Sequence, residues 1–271
     1  MVKRGSIAIA GLGAIGAKVA KALDSGAIPG LTLVAVAGRD AARTSAFAET
    51  LRAKPTADAT EALARHAEIV VDCAPSAAFA GLARSVVEAG RTLVTVNAGA
   101  LLQHLDLAER AKATGGRIVV ATGALLGLDA VCAAAEGSIA RVTMITRKPP
   151  NGLEGAPYLV QHGISLKGLD APKCVFKGNA GDGARGFPAN VNVAAALSLA
   201  GIGPERTALE IWADPAVDRN IHRIEVESDS ARFSLQIENI PSEENPRTGK
   251  ITALSVIACL RGLAAPLKVG T

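Results

Sequence analysis

The chain has 271 residues, of which 49% are hydrophobic and 3% aromatic, and its formal net charge is +4. This length suits one large domain or two modest ones, and a core of small aliphatic side chains is typical of helices packed on a parallel sheet. The charge is mild and no basic run with interleaved aromatic residues appears, which excludes nucleic acid as the expected partner and leaves anionic small molecules.

Targeting and membrane segments are not expected either. The N-terminus joins basic residues to a short apolar stretch, but that stretch runs directly into glycines and a helix with Lys18 and Lys21, so we interpret it as a first strand. The longest apolar region, 118–135, contains Asp129 and glycines, which disfavours a membrane span. Four cysteines lie far apart without a CxxC pair, which indicates a reduced cytoplasm and no metal site.

Strands and helices alternate at short spacing through the first half of the chain. Residues 14–26 place Ile15, Val19 and Leu23 four apart with lysines between them, as in an amphipathic helix. The predicted strands are 6–10, 31–38, 67–75, 92–97 and 117–124, and the predicted helices are 14–26, 40–52, 58–67, 77–90 and 101–116. This order predicts a doubly wound parallel sheet.

The pattern changes near residue 140, where alternating segments predict antiparallel strands of a second, α+β domain. The predicted strands are 140–148, 207–214, 222–228 and 231–239, and the predicted helices are 188–201 and 246–264. The glycine-rich segment 177–188 is predicted to be a loop, which either closes over a substrate or is simply exposed. We therefore predict a dinucleotide-binding domain at 1–128 and an α+β catalytic and dimerisation domain at 129–245. The terminal helix, within 246–271, is expected to pack back onto the first domain.

The first strand is followed by the glycine loop "GLGAIG". Gly11 allows a tight turn, Gly13 lets the backbone approach a pyrophosphate, and Gly16 lets the helix lie close to the strand. The helix N-terminus adds free N–H groups and partial positive charge. A plain turn between strand and helix is the alternative, but the run of βα units favours a Rossmann-type dinucleotide site.

The end of the second strand bears on cofactor preference. Sites that prefer NAD usually carry an acidic residue there, whereas this chain has Gly38 and Arg39 followed by Asp40. An arginine can meet a 2′-phosphate or stack on adenine, so NADP as well as NAD is expected; the alternative is a solvated surface charge. Asp40 either approaches the ribose or caps the next helix.

Small residues at later strand ends leave room for the nicotinamide half of a cofactor, at 73–75, 97–100 and 121–127. The cofactor-binding residues predicted from these patterns are Gly11, Gly13, Ala14, Ile15, Gly16, Arg39, Ala74 and Pro75.

Four histidines are present, and two of them, His66 and His104, fall beside predicted helices and are interpreted as structural. His162 is a candidate substrate-binding residue without supporting context. His222 shares a strand face with apolar residues, which is more typical of a core histidine than of a catalytic one. Histidine nevertheless titrates near neutrality and suits a general base, so both interpretations stay open.

Four blocks resemble the L-aspartate dehydrogenase family: "GALLGLDAV" (123–131), "FPANVNVAAALSLAG" (187–201), "DPAVDRNIHRIEVES" (214–228) and "IENIPSEENPRTGKITALSV" (237–256). The resemblance implies a Rossmann domain, an α+β catalytic domain and a homodimer. It implies NAD(P)-dependent interconversion of L-aspartate with oxaloacetate and ammonia, whose iminoaspartate can feed NAD biosynthesis. It also implies that His222 is catalytic and that Ala124 and Asn190 contact the cofactor; we infer Asn192 as a substrate contact in the same cleft.

A dicarboxylic substrate needs cationic or N–H partners. The candidates are Arg147, Lys148, Lys167, Lys173, Arg185 and Arg219, and the sequence does not rank them. Two other functions remain possible: another two-domain oxidoreductase, similar to homoserine dehydrogenase or dihydrodipicolinate reductase, and a redox sensor that binds NADP(H) without turnover.

Overall fold

The computed structural model describes residues 5–188, 191–245 and 248–270, which form two compact units. The first unit holds the described residues up to Ala121 together with Thr252–Val269, and the second holds Thr122–Ile251 and Gly270. The domain ranges given above stay predictions.

The first unit is built on a six-stranded parallel sheet. Its strands are β1 (Ser6–Ala10), β2 (Thr32–Ala37), β3 (Thr56–Ala57), β4 (Ile69–Asp72), β5 (Thr92–Thr95) and β6 (Arg117–Val120). Its helices are α1 (Ala14–Asp24), α2 (Ala41–Thr50), α3 (Phe79–Glu88), α4 (Ala98–Leu101) and α5 (Asp106–Thr114). The strand order β3-β2-β1-β4-β5-β6 confirms the predicted doubly wound sheet of Rossmann type.

The sequence pattern explains how this layer forms. Every residue of β1 is buried, as a strand covered on both faces requires. In α1 the side chains of Val19 and Leu23 are buried while Lys18 and Lys21 face solvent, which confirms the predicted amphipathic helix.

Three details of the first unit differ from the prediction. The short edge strand β3 was not predicted, because two residues carry no periodic signal. The segment predicted as a helix at 58–67 is a 3-10 helix over Thr60–Arg65. The helix predicted at 101–116 is shorter, because α5 begins only at Asp106, whose acidic first turn suits a helix N-terminus, and a separate short helix, α4, ends at Leu101.

The second unit is an α+β fold with one five-stranded mixed sheet. Its strands are β7 (Ile139–Lys148), β8 (Lys173–Asn179), β9 (Thr207–Ala213), β10 (Asn220–Ser228) and β11 (Arg232–Asn239), in the order β11-β10-β7-β9-β8. Its helices are α6 (Leu128–Ala135), α7 (Pro157–Gln161), α8 (Ala180–Gly186) and α9 (Asn192–Ala200). The prediction of antiparallel strands is wrong for one pair, because β7 and β9 run parallel. The long crossover between them, which carries α7, β8, α8 and α9, makes that pairing possible.

One face of this sheet is buried. Val142 and Met144 on β7 and Ile224 and Val226 on β10 are all at most 1% exposed. Strand β11 alternates between exposed polar and half-buried apolar side chains, as predicted.

The segment 177–188 is not a loop, contrary to the prediction. It completes β8 and forms α8. Its glycines serve close packing: an added Cβ at Gly183 would overlap the side chain of Leu209, and one at Gly186 would lie 2.9 Å from Cβ of Tyr158. The glycine-rich composition that predicts a loop here instead permits close packing of a strand and a helix.

Helix α10 (Lys250–Ala264) belongs largely to the first unit. Its side chains Val256 and Leu260 are fully buried in the same apolar core as Ile7 and Val19. Pro246 and Arg247, where this helix was predicted to begin, lie outside the described residues. Within the described part of the chain, no helix has the length and apolar character needed to cross a bilayer.

Candidate active site

The glycine loop lies where the strand order of the first sheet reverses, between β1 and β4. The N–H of Gly11 donates to the carbonyl of Ala37 at 2.8 Å, and the N–H of Cys73 donates to that of Ala10 at 2.8 Å. Gly11 has a φ of +88°, and a Cβ there would overlap the carbonyl oxygen of Cys73. A Cβ at Gly16 would overlap the carbonyl oxygen of Gly11. Only glycine therefore permits this tight approach of loop, helix and neighbouring strand.

Gly13 has a different environment. It is exposed, and a Cβ there would meet no atom within 4 Å. Helix α1 begins at the next residue, and the first-turn N–H groups of Ala14, Ile15 and Gly16 have no carbonyl partner inside the helix. Open space beside these donors fits the pyrophosphate of a dinucleotide.

Position 38, directly after β2, has little room for an acidic side chain. A Cβ at Gly38 would lie 2.5 Å from Oγ1 of Thr44, so a carboxylate side chain at 38 needs Thr44 to move. Asp40 caps α2 by accepting a hydrogen bond from the N–H of Arg43 at 3.0 Å, which confirms its capping alternative. Arg39 is exposed directly beside this turn, where a guanidinium is available to a 2′-phosphate.

A buried carboxylate that sequence reasoning missed organises the ends of β4 and β5. Asp72 accepts hydrogen bonds from Thr95 Oγ1 at 2.7 Å and Asn97 Nδ2 at 2.8 Å. It also accepts one from the N–H of Ala74 at 3.1 Å, and Asn97 Nδ2 donates to the carbonyl of Ala74 at 2.9 Å. Burial raises the pKa of Asp72, and these hydrogen bonds oppose the rise. The network holds Ala74 half-buried, next to the exposed Pro75.

In the second unit, Ala124 is tied to the five-stranded sheet. Asn239, at the end of β11, is 3% exposed, and its Nδ2 donates to the carbonyl of Ala124 at 3.0 Å. Asn239 is also the register partner of Asn220 on β10, two residues before His222. Ala124 is therefore attached to the end of the sheet that carries this histidine.

The two asparagines predicted beside Ala124 lie farther along the chain. Asn190 falls outside the described residues, and Asn192 is half-buried as the first residue of α9. Helix α9 packs against β9 of the same sheet.

His222 lies on the buried face of β10 and is 2% exposed, as the strand alternation predicted. Its register partner is Thr146 on β7, and Oγ1 of Thr146 lies 3.1 Å from Nδ1 of the imidazole. Burial, followed by the charge of Lys148, lowers the pKa of His222 to about 3. The imidazole is therefore neutral at pH 7.

Lys148 is the last residue of β7 and is 5% exposed, on the same face as Thr146. Burial lowers the pKa of its ammonium group to about 8. Lysine is almost never fully buried without a reason connected to a partner. We call Thr146, Lys148 and His222 the His222 cluster; its composition differs from the apolar surroundings of an ordinary core histidine.

The other five candidate cations are less buried than Lys148. Three of them form ion pairs or charged hydrogen bonds: Arg147 with Asp214 at 2.9 Å, Arg185 with Asp182, and Arg219 with Asp218 at 2.6 Å. Lys167 and Lys173 are exposed.

The other histidines lie in different surroundings. His66 pairs with Asp58 at 2.7 Å, and the ring of His104 stacks on that of Phe79. His162 is exposed, stacks on Tyr158 with ring centroids 4.0 Å apart, and lines a pocket of about 400 Å³ formed by residues 157–186. The residues that line this pocket do not include members of the His222 cluster.

Known proteins resemble the whole chain. A curated L-aspartate dehydrogenase of Bradyrhizobium diazoefficiens is 57% identical over 98% of this chain and 94% of its own length. The chain belongs to the L-aspartate dehydrogenase family. L-aspartate dehydrogenase 3 of Bordetella bronchiseptica is 52% identical over 98% of this chain and 97% of its own length.

Two family models match successive parts of the chain. The family described as "Aspartate dehydrogenase, C-terminal" matches residues 129–263, and the one described as "Homoserine dehydrogenase, NAD binding domain" matches 11–121. The crystal structure of an aspartate dehydrogenase from Thermotoga maritima has a TM-score of 0.73 and 22% identity, and covers 99% of this chain and 100% of its own. At that identity the likeness establishes the fold. Membership of the L-aspartate dehydrogenase family confirms the resemblance drawn from the four sequence blocks.

Proposed function

We propose that this chain catalyses the NAD(P)-dependent oxidation of L-aspartate to oxaloacetate and ammonia through iminoaspartate, and the reverse reductive amination. It is thus an oxidoreductase that acts on a CH–NH₂ group. The observation that carries this proposal is the full-length identity of 57% to a curated L-aspartate dehydrogenase. The buried histidine of the His222 cluster supports it, because the reaction needs a proton acceptor near the imino carbon.

The residues proposed to hold the dinucleotide are Gly11, Gly13, Ala14, Ile15, Gly16, Arg39, Ala74, Pro75, Ala124 and Asn190. When bound, the nicotinamide supplies hydride transfer to or from the substrate. Arg39 and the crowded Gly38 position support use of NADP as well as NAD.

His222 is proposed to manage the proton of the attacking water. In the tautomer in which Nδ1–H donates to the Thr146 hydroxyl, Nε2 is the basic nitrogen. As a water oxygen forms its bond to the imino carbon, its proton passes to Nε2. In the resulting carbinolamine the hydroxyl proton passes to the nitrogen, the C=O bond of oxaloacetate forms as the C–N bond breaks, and ammonia leaves. The proton on Nε2 is then released to solvent. In the reductive direction the same nitrogen returns the proton.

A steady-state assay tests the activity. Oxidation of NADPH and NADH is followed with oxaloacetate and ammonium, with His222→Asn as the variant and His162→Asn as the matched control. We expect His222→Asn to lower kcat about 10²- to 10⁴-fold while cofactor binding persists. Wild-type inactivity with these substrates, together with turnover of a semialdehyde or dihydrodipicolinate, would favour the other oxidoreductases. Cofactor binding without turnover of any of them would favour a redox sensor.

We further propose a cytoplasmic homodimer whose iminoaspartate can feed NAD biosynthesis. The family resemblance and the widely spaced cysteines support these two points. Light scattering on the purified protein tests the dimer, which a monomeric mass at micromolar concentration would refute.

A further inference from the structure

One side chain ties Ala124, a proposed cofactor contact, to the strand pair that carries His222. Asn239, the last residue of β11, is 3% exposed, and its Nδ2 donates to the carbonyl of Ala124 at 3.0 Å across a separation of 115 residues. This contact fixes the orientation of the amide, because the opposite orientation would bring two acceptor oxygens together. We call residues 124–127 the Ala124 segment.

The Ala124 segment meets β11 at a second point. Gly127 has a φ of +71°, and an added Cβ there would overlap Cδ1 of Leu235. Leu235 and Asn239 lie on the same face of β11, because alternate residues of a strand point to the same side. Ile237 lies between them and is the register partner of His222. The two contacts of the segment therefore lie on either side of the row that contains His222.

The sheet geometry gives the spacing between these points. Asn239 and Asn220 form the register pair two residues beyond Ile237 and His222. With a rise of about 3.4 Å per residue and about 4.8 Å between strands, the Cα atoms of Asn239 and His222 are about 8 Å apart. One hydrogen bond thus connects the backbone of Ala124 to the strands that hold the imidazole, and its loss should shift Ala124 relative to His222.

The other polar atom of the same amide indicates that Asn239 does not serve burial alone. Its Oδ1 is buried and has no hydrogen-bond partner among the described residues. Gly249 approaches so closely that an added Cβ there would lie 2.9 Å from Oδ1. A buried acceptor without a partner lowers stability, and a leucine of similar shape would avoid that cost. Leucine would, however, lack the donor to Ala124, so this hydrogen bond accounts for an amide at the position.

We propose that Asn239 is a positioning residue, whose side-chain amide holds Ala124 at a fixed separation from His222 and so aligns the bound nicotinamide with the carbon at which His222 acts. The inference rests on the proposed function, in which Ala124 contacts the dinucleotide and His222 is the proton acceptor. Asn239 acts through Ala124 and is not itself a catalytic residue. A misplacement of about 1 Å can slow a reaction about 10²-fold, so loss of this hydrogen bond should slow hydride transfer.

Turnover per folded site tests the alignment. Asn239→Leu keeps the shape of the side chain and removes the donor, and titration with NADPH fluorescence counts the folded sites. Oxaloacetate and ammonium are then reduced with NADPH or with NADPH that carries deuterium at the transferred position. We expect kcat per site to fall about 10- to 100-fold, with an isotope effect at least as large as that of the wild type. Unchanged kcat per site, or a smaller isotope effect, would overturn the proposal.

Hydrogen exchange on the ligand-free protein tests the anchor without cofactor or turnover. The N–H of Leu125, inside the Ala124 segment, donates to the carbonyl of Thr122 at 3.2 Å. In Asn239→Leu the exchange of this segment should accelerate about 10-fold, because the hydrogen bond that holds it is lost. Gln236→Met removes an amide from an exposed position of the same strand and should match the wild type in exchange and in kcat. Unchanged exchange in Asn239→Leu would refute the anchor.

Asn239→Asp provides a second variant, which decides the question if Asn239→Leu fails to fold. A protonated carboxyl group can donate to the carbonyl of Ala124, whereas an ionised one cannot. Relative to the wild type, kcat per site of Asn239→Asp should therefore be highest near pH 6 and fall as the pH rises. A loss of the same size at every pH from 6 to 9 would contradict a role for the donor.

The two levels of inference fail differently. A wild-type protein that does not turn over oxaloacetate and ammonium refutes the proposed function, and the exchange of the ligand-free Ala124 segment still shows whether Asn239 holds it. A wild-type protein that turns over, combined with an Asn239→Leu variant of equal kcat per site, refutes the positioning role alone.

Discussion

His222 should make the second unit sensitive to acid. Its pKa is about 3 in the folded protein, below the ordinary value of 6.5, because burial disfavours the imidazolium. The unfolded chain therefore takes up this proton first, and the stability that depends on a neutral His222 is lost as pH falls from about 6.5 towards 3. With these two pKa values, His222 alone lowers the free energy of unfolding by about 2 kcal/mol between pH 7 and pH 5.

The chain offers a local probe for this measurement. Trp212, the single tryptophan, lies in β9 of the same sheet, so its fluorescence reports unfolding of the second unit. Urea unfolding is measured at pH 7 and pH 5 for the wild type, for His222→Asn and for the exposed His162→Asn.

Comparing the two pH values separates the titration of His222 from any pH-independent effect of the substitution on stability. His222→Asn should lose about 2 kcal/mol less than the wild type between the two pH values, which is about 1 M less shift in the urea midpoint for a unit of this size. His162→Asn should follow the wild type. If His222→Asn declines in parallel with the wild type, the imidazole is not held neutral and the reasoning fails.

Two further predictions concern the first unit. Arg39→Ser should weaken NADPH binding about 10- to 100-fold and leave NADH binding unchanged, as measured by fluorescence of the reduced cofactors; equal losses for both would contradict a 2′-phosphate contact. Gly16→Ala should lower the melting temperature, because the new methyl group overlaps the carbonyl oxygen of Gly11, and the cost is about 1–3 kcal/mol or more. Gly13→Ala, with open space around it, should keep the melting temperature and weaken cofactor binding; equal melting of the two variants would refute this distinction.

Much of the fold followed from periodicity. The buried strands and amphipathic helices of the first unit could be predicted because each repeats a local pattern. The location of His222 on an apolar face followed from the alternation of β10 in the same way. By contrast, β8 and the helix at 180–186 were missed, because glycines that permit close packing resemble those of a loop.

The site residues that were missed depend on contacts between distant parts of the chain. The pairing of Thr146 with His222 joins strands 76 residues apart, and no local signal gives this register. Asp72 meets Thr95 and Asn97 only because β4 and β5 are neighbours in the sheet. The one available signal was an acidic residue at the end of an otherwise apolar strand, which a parallel sheet rarely accommodates without partners.

The return of α10 to the first unit sets an order of events on the ribosome. Val256 and Leu260 complete a core whose other buried members lie between Ile7 and Ala121. All of the second unit up to Ile251 is synthesised before these two side chains exist. During translation the core of the first unit therefore stays incomplete, with part of its apolar surface exposed, until α10 is synthesised. The second unit emerges from the ribosome and becomes able to fold before that point.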